Sequence, residues 1–110
     1  MNKFNFYQKK YEALETFYGW VDQGSSYDVA VEQSIYYSKS MDELDEIIIN
    51  ITIATRFSRC GKKVSNQFKN RLNNIILNYK MLNLEKYGLS KDERALLDEE
   101  IEEVEYLIQI

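Results

Sequence analysis

The feature that most limits the fold of this 110-residue chain is its near lack of residues that interrupt helices. The chain contains no proline, and its four glycines lie far apart, at positions 19, 24, 61 and 88. Because proline and glycine most often break a helix, their scarcity favours long helices joined by short connections. A domain usually has about 100–200 residues, so we predict a single helical domain spanning residues 1–110.

Apolar residues recur every three or four positions in five stretches, which places them on one side of a helix in each stretch. The predicted helices cover about residues 5–23, 26–38, 41–60, 64–87 and 91–108. Ser40 and Ser90 are each followed three residues later by a glutamate, which is the capping-box pattern at a helix start. We therefore predict an all-α fold, an antiparallel bundle of four to five helices.

Two of these helices have informative patterns. In predicted helix 1 the spacing alternates between three and four residues, which predicts a core-facing seam at Phe4, Tyr7, Tyr11, Leu14, Tyr18 and Val21. Predicted helix 3 is apolar on several sides, which is typical of a central helix. Its β-branched run at 47–53 is also compatible with a strand, but no second run offers a pairing partner, so a helix is favoured.

The sequence offers few side chains for catalysis or for metal binding. It has no histidine, which is the commonest general base and zinc ligand. Cys60 is the only cysteine, so we expect a buried, unreactive thiol in a reducing cytoplasm. There is no glycine-rich phosphate loop, and the apolar run at 47–53 is far shorter than the ~20 residues of a membrane span. We predict no catalytic residue, no metal, no cofactor and no membrane association.

The charges of the chain are segregated along its length. The net charge is −4, but residues 56–86 carry +7, whereas residues 1–55 and 87–110 carry −5 and −6. The simplest interpretation is pairing between neighbouring helices, together with solvated faces. A nucleic-acid binder acting through helix 4 is an alternative, based on Arg56, Arg59, Lys62, Lys63, Lys69 and Arg71. The negative total charge argues against it, because phosphate binding needs an attractive field.

Acidic residues cluster at the start of predicted helix 3, where Asp42, Asp45 and Glu46 share one side of the helix. A second cluster follows in helix 5, comprising Asp98, Glu99, Glu100, Glu102, Glu103 and Glu105. Such clusters suit a basic partner, although they also serve as solvated faces. Tyr27 and Tyr37 lie off the apolar lines, and tyrosine is enriched at interface hot spots. We predict that Asp42, Asp45 and Glu46 provide charge contacts to a protein partner and that Tyr27 and Tyr37 anchor it.

A wider pattern covers most of the chain: Tyr11 to Gly24 in helix 1, a short second helix with Ala30, an isoleucine-rich helix ending at Gly61, and an acidic helix after Leu89 and Ser90. In this order of elements the chain resembles the small all-α immunity proteins that protect bacteria from their own polymorphic or contact-dependent toxins. The resemblance implies one-to-one binding of a cognate protein toxin, often a nuclease, in the cytoplasm. The residues leave open a regulatory or scaffolding protein of a mobile element, or an antitoxin-like factor, that dimerises through the helix 1 seam.

Overall fold

The computed structural model describes residues 5–38 and 42–109, without the side chains of Tyr37 and Ser38. The predicted seam residue Phe4 and the predicted cap Ser40 lie outside the described residues. The helices are α1 (Phe6–Asp22), α2 (Tyr27–Ser38), α3 (Glu43–Arg59), α4 (Asn66–Met81) and α5 (Lys91–Gln109), with a short 3-10 helix at Leu84–Tyr87. Within these ranges no residue forms a strand. The all-α class and the helical assignment of the isoleucine-rich run are therefore confirmed.

Helix α3 lies at the centre of the bundle, as its composition predicts. Eleven of its 17 residues are buried, including all five isoleucines between positions 47 and 53. Helices α1, α2, α4 and α5 each pack directly against it. Because α3 is apolar on every side, its burial requires neighbours on every side, and the four other helices provide them.

Contacts between side chains fix the relative directions of the helices. Lys9 in α1 lies 3.8 Å from Asp45 at the start of α3, and the ring of Phe17 contacts that of Phe57 near the end of α3. Helix α1 therefore runs parallel to α3. The ring of Phe68, in the first turn of α4, also contacts Phe57, so α4 runs in the opposite direction. Consecutive helices thus alternate in direction, as in the predicted antiparallel bundle.

Helix α1 buries a different side from the one predicted. Its buried residues are Phe6, Ala13 and Phe17, whereas the side chains of Tyr7 and Tyr11 are 55% and 63% exposed. The seam prediction was therefore wrong for Tyr7 and Tyr11, whereas Tyr18 and Val21 are partly buried against the core. Helix α1 carries apolar residues on two adjacent sides, and spacing alone does not say which side meets the core. The side of α1 that carries Tyr7 and Tyr11 is therefore left at the surface.

The predicted helix starts are partly confirmed. At α5 the capping box is present, since the Ser90 amide donates to Glu93 Oε1 at 2.8 Å and the Glu93 amide donates to Ser90 Oγ at 3.1 Å. At α3 the N-cap is instead Asp42, whose carboxylate accepts a hydrogen bond from the Leu44 amide at 3.2 Å. Helix α3 therefore begins later than predicted, and a carboxylate rather than a serine hydroxyl caps its first turn.

The helix ends show two further differences. Cys60 is the C-cap of α3, with its amide donating to the Arg56 carbonyl, and Gly61 follows with a positive φ of 68°. The cap position leaves the Cys60 thiol exposed, so the prediction of a buried thiol was wrong. Predicted helix 4 is interrupted at Leu82, which has an extended ψ of 137°. The chain resumes as the 3-10 helix and stops at Gly88 (φ 67°).

A buried ion pair joins the three parallel helices. The Lys10 ammonium on α1 contacts the Glu100 carboxylate on α5, and Glu100 is only 3% exposed. Lys10 Nζ also donates to Thr52 Oγ1 at 3.3 Å. The Thr55 hydroxyl donates to the Thr52 carbonyl at 2.9 Å, and its oxygen lies 3.4 Å from Glu100 Oε2. The sequence analysis placed Glu100 in an acidic cluster suited to a partner, and the structure instead buries it against α1 and α3.

Removing the cation of this pair should be costly. We expect Lys10→Met to lower the free energy of unfolding by about 3 kcal/mol, because it leaves the Glu100 carboxylate buried without its counter-ion. The double variant Lys10→Met/Glu100→Leu should recover most of that loss, since an apolar pair of similar volume needs no compensation. Urea denaturation at pH 7 measures both effects.

Lys9→Met is the matched control for this experiment. Lys9 is nearly as exposed as Lys10, at 27% against 20%, but its partners in the described residues are 3.7 Å and 3.8 Å away and less buried than Glu100. Its loss should therefore cost less than about 1 kcal/mol. Equal losses for the two lysine variants would contradict the role given to the buried pair.

Candidate partner-binding groove

The predicted contact residue Asp42 has a structural partner of its own. The Tyr87 hydroxyl donates a hydrogen bond to the Asp42 carboxylate. This bond holds the pKa of Asp42 below its ordinary value. Burial, together with the same bond, raises the pKa of Tyr87 to about 12. Asp42 thus ties the 3-10 helix to the start of α3 and remains largely exposed beside it.

Asp45 is less accessible than Asp42. Its Oδ2 lies 3.8 Å from Lys9 Nζ, and its Oδ1 is buried without a hydrogen-bond partner among the described residues. Burial raises the pKa of the Asp45 carboxyl, and the neighbouring Lys9 ammonium offsets part of that effect. Asp45 therefore faces α1, and most of its carboxylate is turned away from solvent.

Glu46 belongs to a network that faces α4. Its Oε1 accepts a hydrogen bond from Arg71 Nη2 at 2.7 Å. The Arg71 Nε donates to Asn50 Oδ1 at 3.2 Å, and the Asn50 amide donates back to the Glu46 carbonyl at 2.7 Å. Each polar group in this closed set has a partner, which fixes the orientation of the Arg71 guanidinium.

Tyr27 lies at the other end of α3. Its ring packs edge-on against Phe17 and Phe57, with the Lys62 ammonium 5.0 Å from the ring centroid. Because Phe57 and Glu46 are eleven residues apart on α3, the two sets of predicted contacts are about 16 Å apart along the helix axis. The Tyr37 side chain, the second predicted anchor, lies outside the described residues.

A groove between α2 and α4 occupies the space between these two sets. We name it the α2/α4 groove; its cavity is about 400 Å³. Its apolar part is formed by Val31, Ile35, Tyr36, Phe57 and Phe68, and its polar part by Asp28, Glu32, Ser65, Gln67 and Arg71. Phe57 lines the groove and contacts Tyr27, and Arg71 lines the groove and bonds to Glu46. Both sets of predicted contact residues therefore border the groove.

The α2 edge of the groove is acidic. Asp28 and Glu32 are one turn apart, so both face the groove from the same side of α2. No cation in residues 5–38 or 42–109 forms an ion pair with either carboxylate. Asp28 also lies in the first turn of α2, where the positive helix end favours a negative charge. In the described part of the chain, the groove therefore combines an apolar floor with an acidic edge that forms no ion pair.

The residues of this groove were not predicted from the sequence to form a site. Val31 and Ile35 belong to the apolar pattern of predicted helix 2, but so do Val29 and Tyr36, whose side chains are exposed. The four-residue spacing of Asp28 and Glu32 was the available signal. This spacing could not indicate that α4 lies across the groove from Asp28 and Glu32.

The basic segment at 56–86 does not form one surface. Arg71 is bonded to Glu46 beside the groove, and Arg59 lies 3.4 Å from Glu103 on α5. Lys62, Lys63 and Lys69 line a separate cavity of about 610 Å³ near the end of α5. Of the basic residues that suggested a nucleic-acid binder, Lys62, Lys63 and Lys69 thus share one cavity, whereas Arg59 and Arg71 are paired elsewhere.

Among residues 5–38 and 42–109, no group of three or more metal-ligating side chains lies together. None of the helices in these ranges is both long enough and apolar enough to cross a bilayer. In comparisons with protein-family models, with curated proteins and with solved structures, nothing matches this chain.

The two carboxyls at the start of α3 should titrate in opposite directions. We expect an NMR titration to place the pKa of Asp42 below, and that of Asp45 above, the ordinary aspartate value. Because its folded pKa is lowered, Asp42 stabilises the fold above the ordinary value, and this contribution is lost as the pH falls through its folded pKa. For Asp45 the sign is reversed, so its protonation at low pH favours the folded state.

The variant Tyr87→Phe distinguishes the pKa of Asp42 from that of Asp45. It should raise the pKa of Asp42 towards its ordinary value, since the hydroxyl donor is gone, and leave that of Asp45 unchanged. An unshifted Asp42 in this variant would contradict the assigned hydrogen bond.

Proposed function

We propose that this chain is an immunity protein that binds a cognate bacterial toxin domain one-to-one and neutralises it in the cytoplasm. The observation that carries the proposal is the α2/α4 groove, where two carboxylates that form no ion pair within residues 5–38 and 42–109 border an apolar floor. Such a groove suits a cationic and partly apolar segment of a protein partner. The resemblance of the helix order to small immunity proteins supports the same function.

Charge would bring the two proteins together. A toxin that cleaves DNA or RNA presents basic residues to its substrate, because nucleic acid is a polyanion. Asp28 and Glu32 would attract these residues and speed the encounter, and contacts at the groove edge act mainly on the association rate. A segment held there would no longer be available to the substrate of the toxin.

The apolar floor would then slow dissociation. The aliphatic part of a lysine or arginine can pack on Val31 and Phe68 while its charged end reaches the acidic edge. Tyr36 is 69% exposed beside the groove, and an aromatic ring of this kind is a frequent hot spot. In related complexes differences in affinity arise mostly from the dissociation rate.

The contacts predicted from the sequence keep a place in this proposal. Asp42 is the most accessible of the three acids at the start of α3. Asp45 and Glu46 are less exposed and would act indirectly, by holding Lys9 and Arg71 in position. Tyr27 would act by supporting Phe57 in the floor, and Tyr37 follows Tyr36 on α2.

The first experiment identifies the partner. A tagged copy is purified from its native host at low salt, bound proteins are identified by mass spectrometry, and a recovered toxin domain is titrated with the pure chain. We expect its activity to be lost at one equivalent. Recovery of nucleic acid alone, or of the chain alone, would overturn the proposal in favour of a regulatory or structural role.

Charge reversal tests the groove itself. Asp28→Lys/Glu32→Lys should lower the association rate with the toxin at least tenfold at low salt and flatten its salt dependence, because the attraction at the groove edge is reversed. Glu85→Lys/Glu102→Lys changes the net charge equally at exposed positions away from the groove and should lower the rate by less than threefold. Stopped-flow fluorescence measures both rates, and equal effects would exclude the groove as the contact surface.

A further inference from the structure

The cavity near the end of α5 is lined by side chains that suit an anion. Its volume is about 610 Å³, which is within the range of small-molecule sites. It lies where α3 ends, α4 begins and α5 ends, and we name it the basic cavity. Every polar side chain in its lining can donate a hydrogen bond and none is a carboxylate; these residues are Ser58, Lys62, Lys63, Asn66, Lys69 and Tyr106.

The turn after α3 fixes the backbone that carries two of the lysines. The Lys62 amide donates to the Phe57 carbonyl at 2.9 Å. The Gly61 amide donates to the Ser58 carbonyl at 3.2 Å, and the two bonds together form a Schellman motif. Val64 is buried on the other side of the two lysines. The connection is therefore held at both ends, with the lysine side chains at the cavity between them.

The third lysine lies near the start of α4. Lys69 follows Asn66 by three residues, so the two side chains share one side of the helix. Ser65 caps this helix by accepting a hydrogen bond from the Phe68 amide at 3.1 Å, and the first turn contains no acidic residue. The partial positive charge of a helix start therefore adds to the charge of the lysines.

The positive charge of the cavity exceeds what the neighbouring helix ends require. Within residues 5–38 and 42–109 none of the three lysines forms an ion pair. The Lys62 ammonium lies 5.0 Å from the ring centroid of Tyr27, and this contact leaves its charge in place. The ends of α3 and α5 contribute about −0.5 each, and the start of α4 about +0.5. Three full positive charges outweigh this sum.

Charge, volume and an aromatic ring together define the ligand. A diphosphate carries about three negative charges near neutral pH, since its terminal phosphate carries about −1.5 to −2 and its inner phosphate about −1. This matches the three ammonium groups, and lysine is a common ligand of phosphate. Tyr106 is 68% exposed, so its ring is accessible to stack on a nucleobase. We infer that the basic cavity binds a nucleotide with at least two phosphate groups.

The surroundings of the cavity favour a small ligand over a nucleic-acid strand. On α5, Glu102 and Glu103 lie one turn before Tyr106 and Leu107. Glu103 is engaged with Arg59 at 3.4 Å, whereas Glu102 is exposed. A strand that continued along α5 would meet more carboxylates there, and the chain as a whole is negative, with a net charge of −4. A ligand that stays within the cavity meets the lysines first, because screening limits distant charges beyond about 8 Å.

The basic cavity is separate from the α2/α4 groove. No described residue lines both. On α4, Lys69 lines the cavity and Arg71 lines the groove, and these residues are about 200° apart around the helix axis. The inference therefore does not rest on the proposed neutralisation of a toxin, and a nucleotide can occupy the cavity whether or not a protein occupies the groove.

The test is isothermal titration calorimetry of the full chain with ADP at low salt, without magnesium, which would neutralise the phosphates. We expect a dissociation constant on the order of 100 µM, as for a small and largely exposed ligand. Pyrophosphate should bind at least threefold more weakly, because it lacks the base, and adenosine should bind at least tenfold more weakly, because it lacks the phosphates. Failure of ADP to bind below about 1 mM would overturn the inference.

Two double variants locate the bound nucleotide. Lys63→Gln/Lys69→Gln should weaken ADP binding at least tenfold, because it removes two of the three charges of the cavity. Lys86→Gln/Lys91→Gln removes the same charge at exposed positions, and Lys91 is about 22 Å from Tyr106 along α5. This control should change ADP binding by less than twofold. Equal losses for the two variants would mean that ADP responds only to net charge, and the assigned site would be wrong.

Tyr106→Leu tests the role of the ring. It should weaken ADP binding about fivefold or more, since the base loses its stacking surface, and leave pyrophosphate binding unchanged. Equal binding of ADP and pyrophosphate to the unaltered chain would show a phosphate site that does not recognise a base. A strand of 12 deoxythymidines that binds more tightly than ADP, and that Lys63→Gln/Lys69→Gln releases, would show that the ligand is nucleic acid. Either result would overturn the inference.

Discussion

The burial of α3 is the constraint on which the rest of the structure depends. Five isoleucines lie within seven residues, and they point to every side of the helix. Fully burying each such side chain contributes about 1.5–3 kcal/mol, so no arrangement that leaves one side of α3 in water competes with the bundle. The polar side chains within this helix are accommodated by hydrogen bonds: Asn50 is held by Arg71 and the Glu46 carbonyl, and Thr55 by the Thr52 carbonyl.

Surrounding one helix with four others also determines where surfaces for partners can form. Helices α1 and α2 pack closely, and so do α4 and α5, whereas α2 and α4 are separated by a groove. On the opposite side, α1 and α5 are connected by the pair of Lys10 with Glu100. The α2/α4 groove is thus at one of the two junctions of the ring that have few helix–helix contacts, and the ion pair is at the other.

The sequence predicted local features better than those that depend on facing elements. The absence of proline predicted the all-α class. The capping box at Ser90 and Glu93 predicted the start of α5, and the apolar composition of α3 predicted its central position. The core side of α1 was missed because two apolar lines lie on adjacent sides of one helix, and the choice between them is made by α3. The burial of Glu100 was not predicted for a related reason. This carboxylate can be buried only because Lys10 of another helix pairs with it.

The same dependence explains what happened to the predicted acidic contacts. A cluster of like charges in the sequence indicates a surface only if no other element brings cations to it. Asp45 and Glu46 receive Lys9 and Arg71, whereas Asp28 and Glu32, which are less conspicuous in the sequence, have no ion-pair partner among the described residues. Charge that remains after internal pairing is what a partner meets. Part of this charge lies at Asp28 and Glu32 along the α2/α4 groove, where it accompanies the exposed Tyr36.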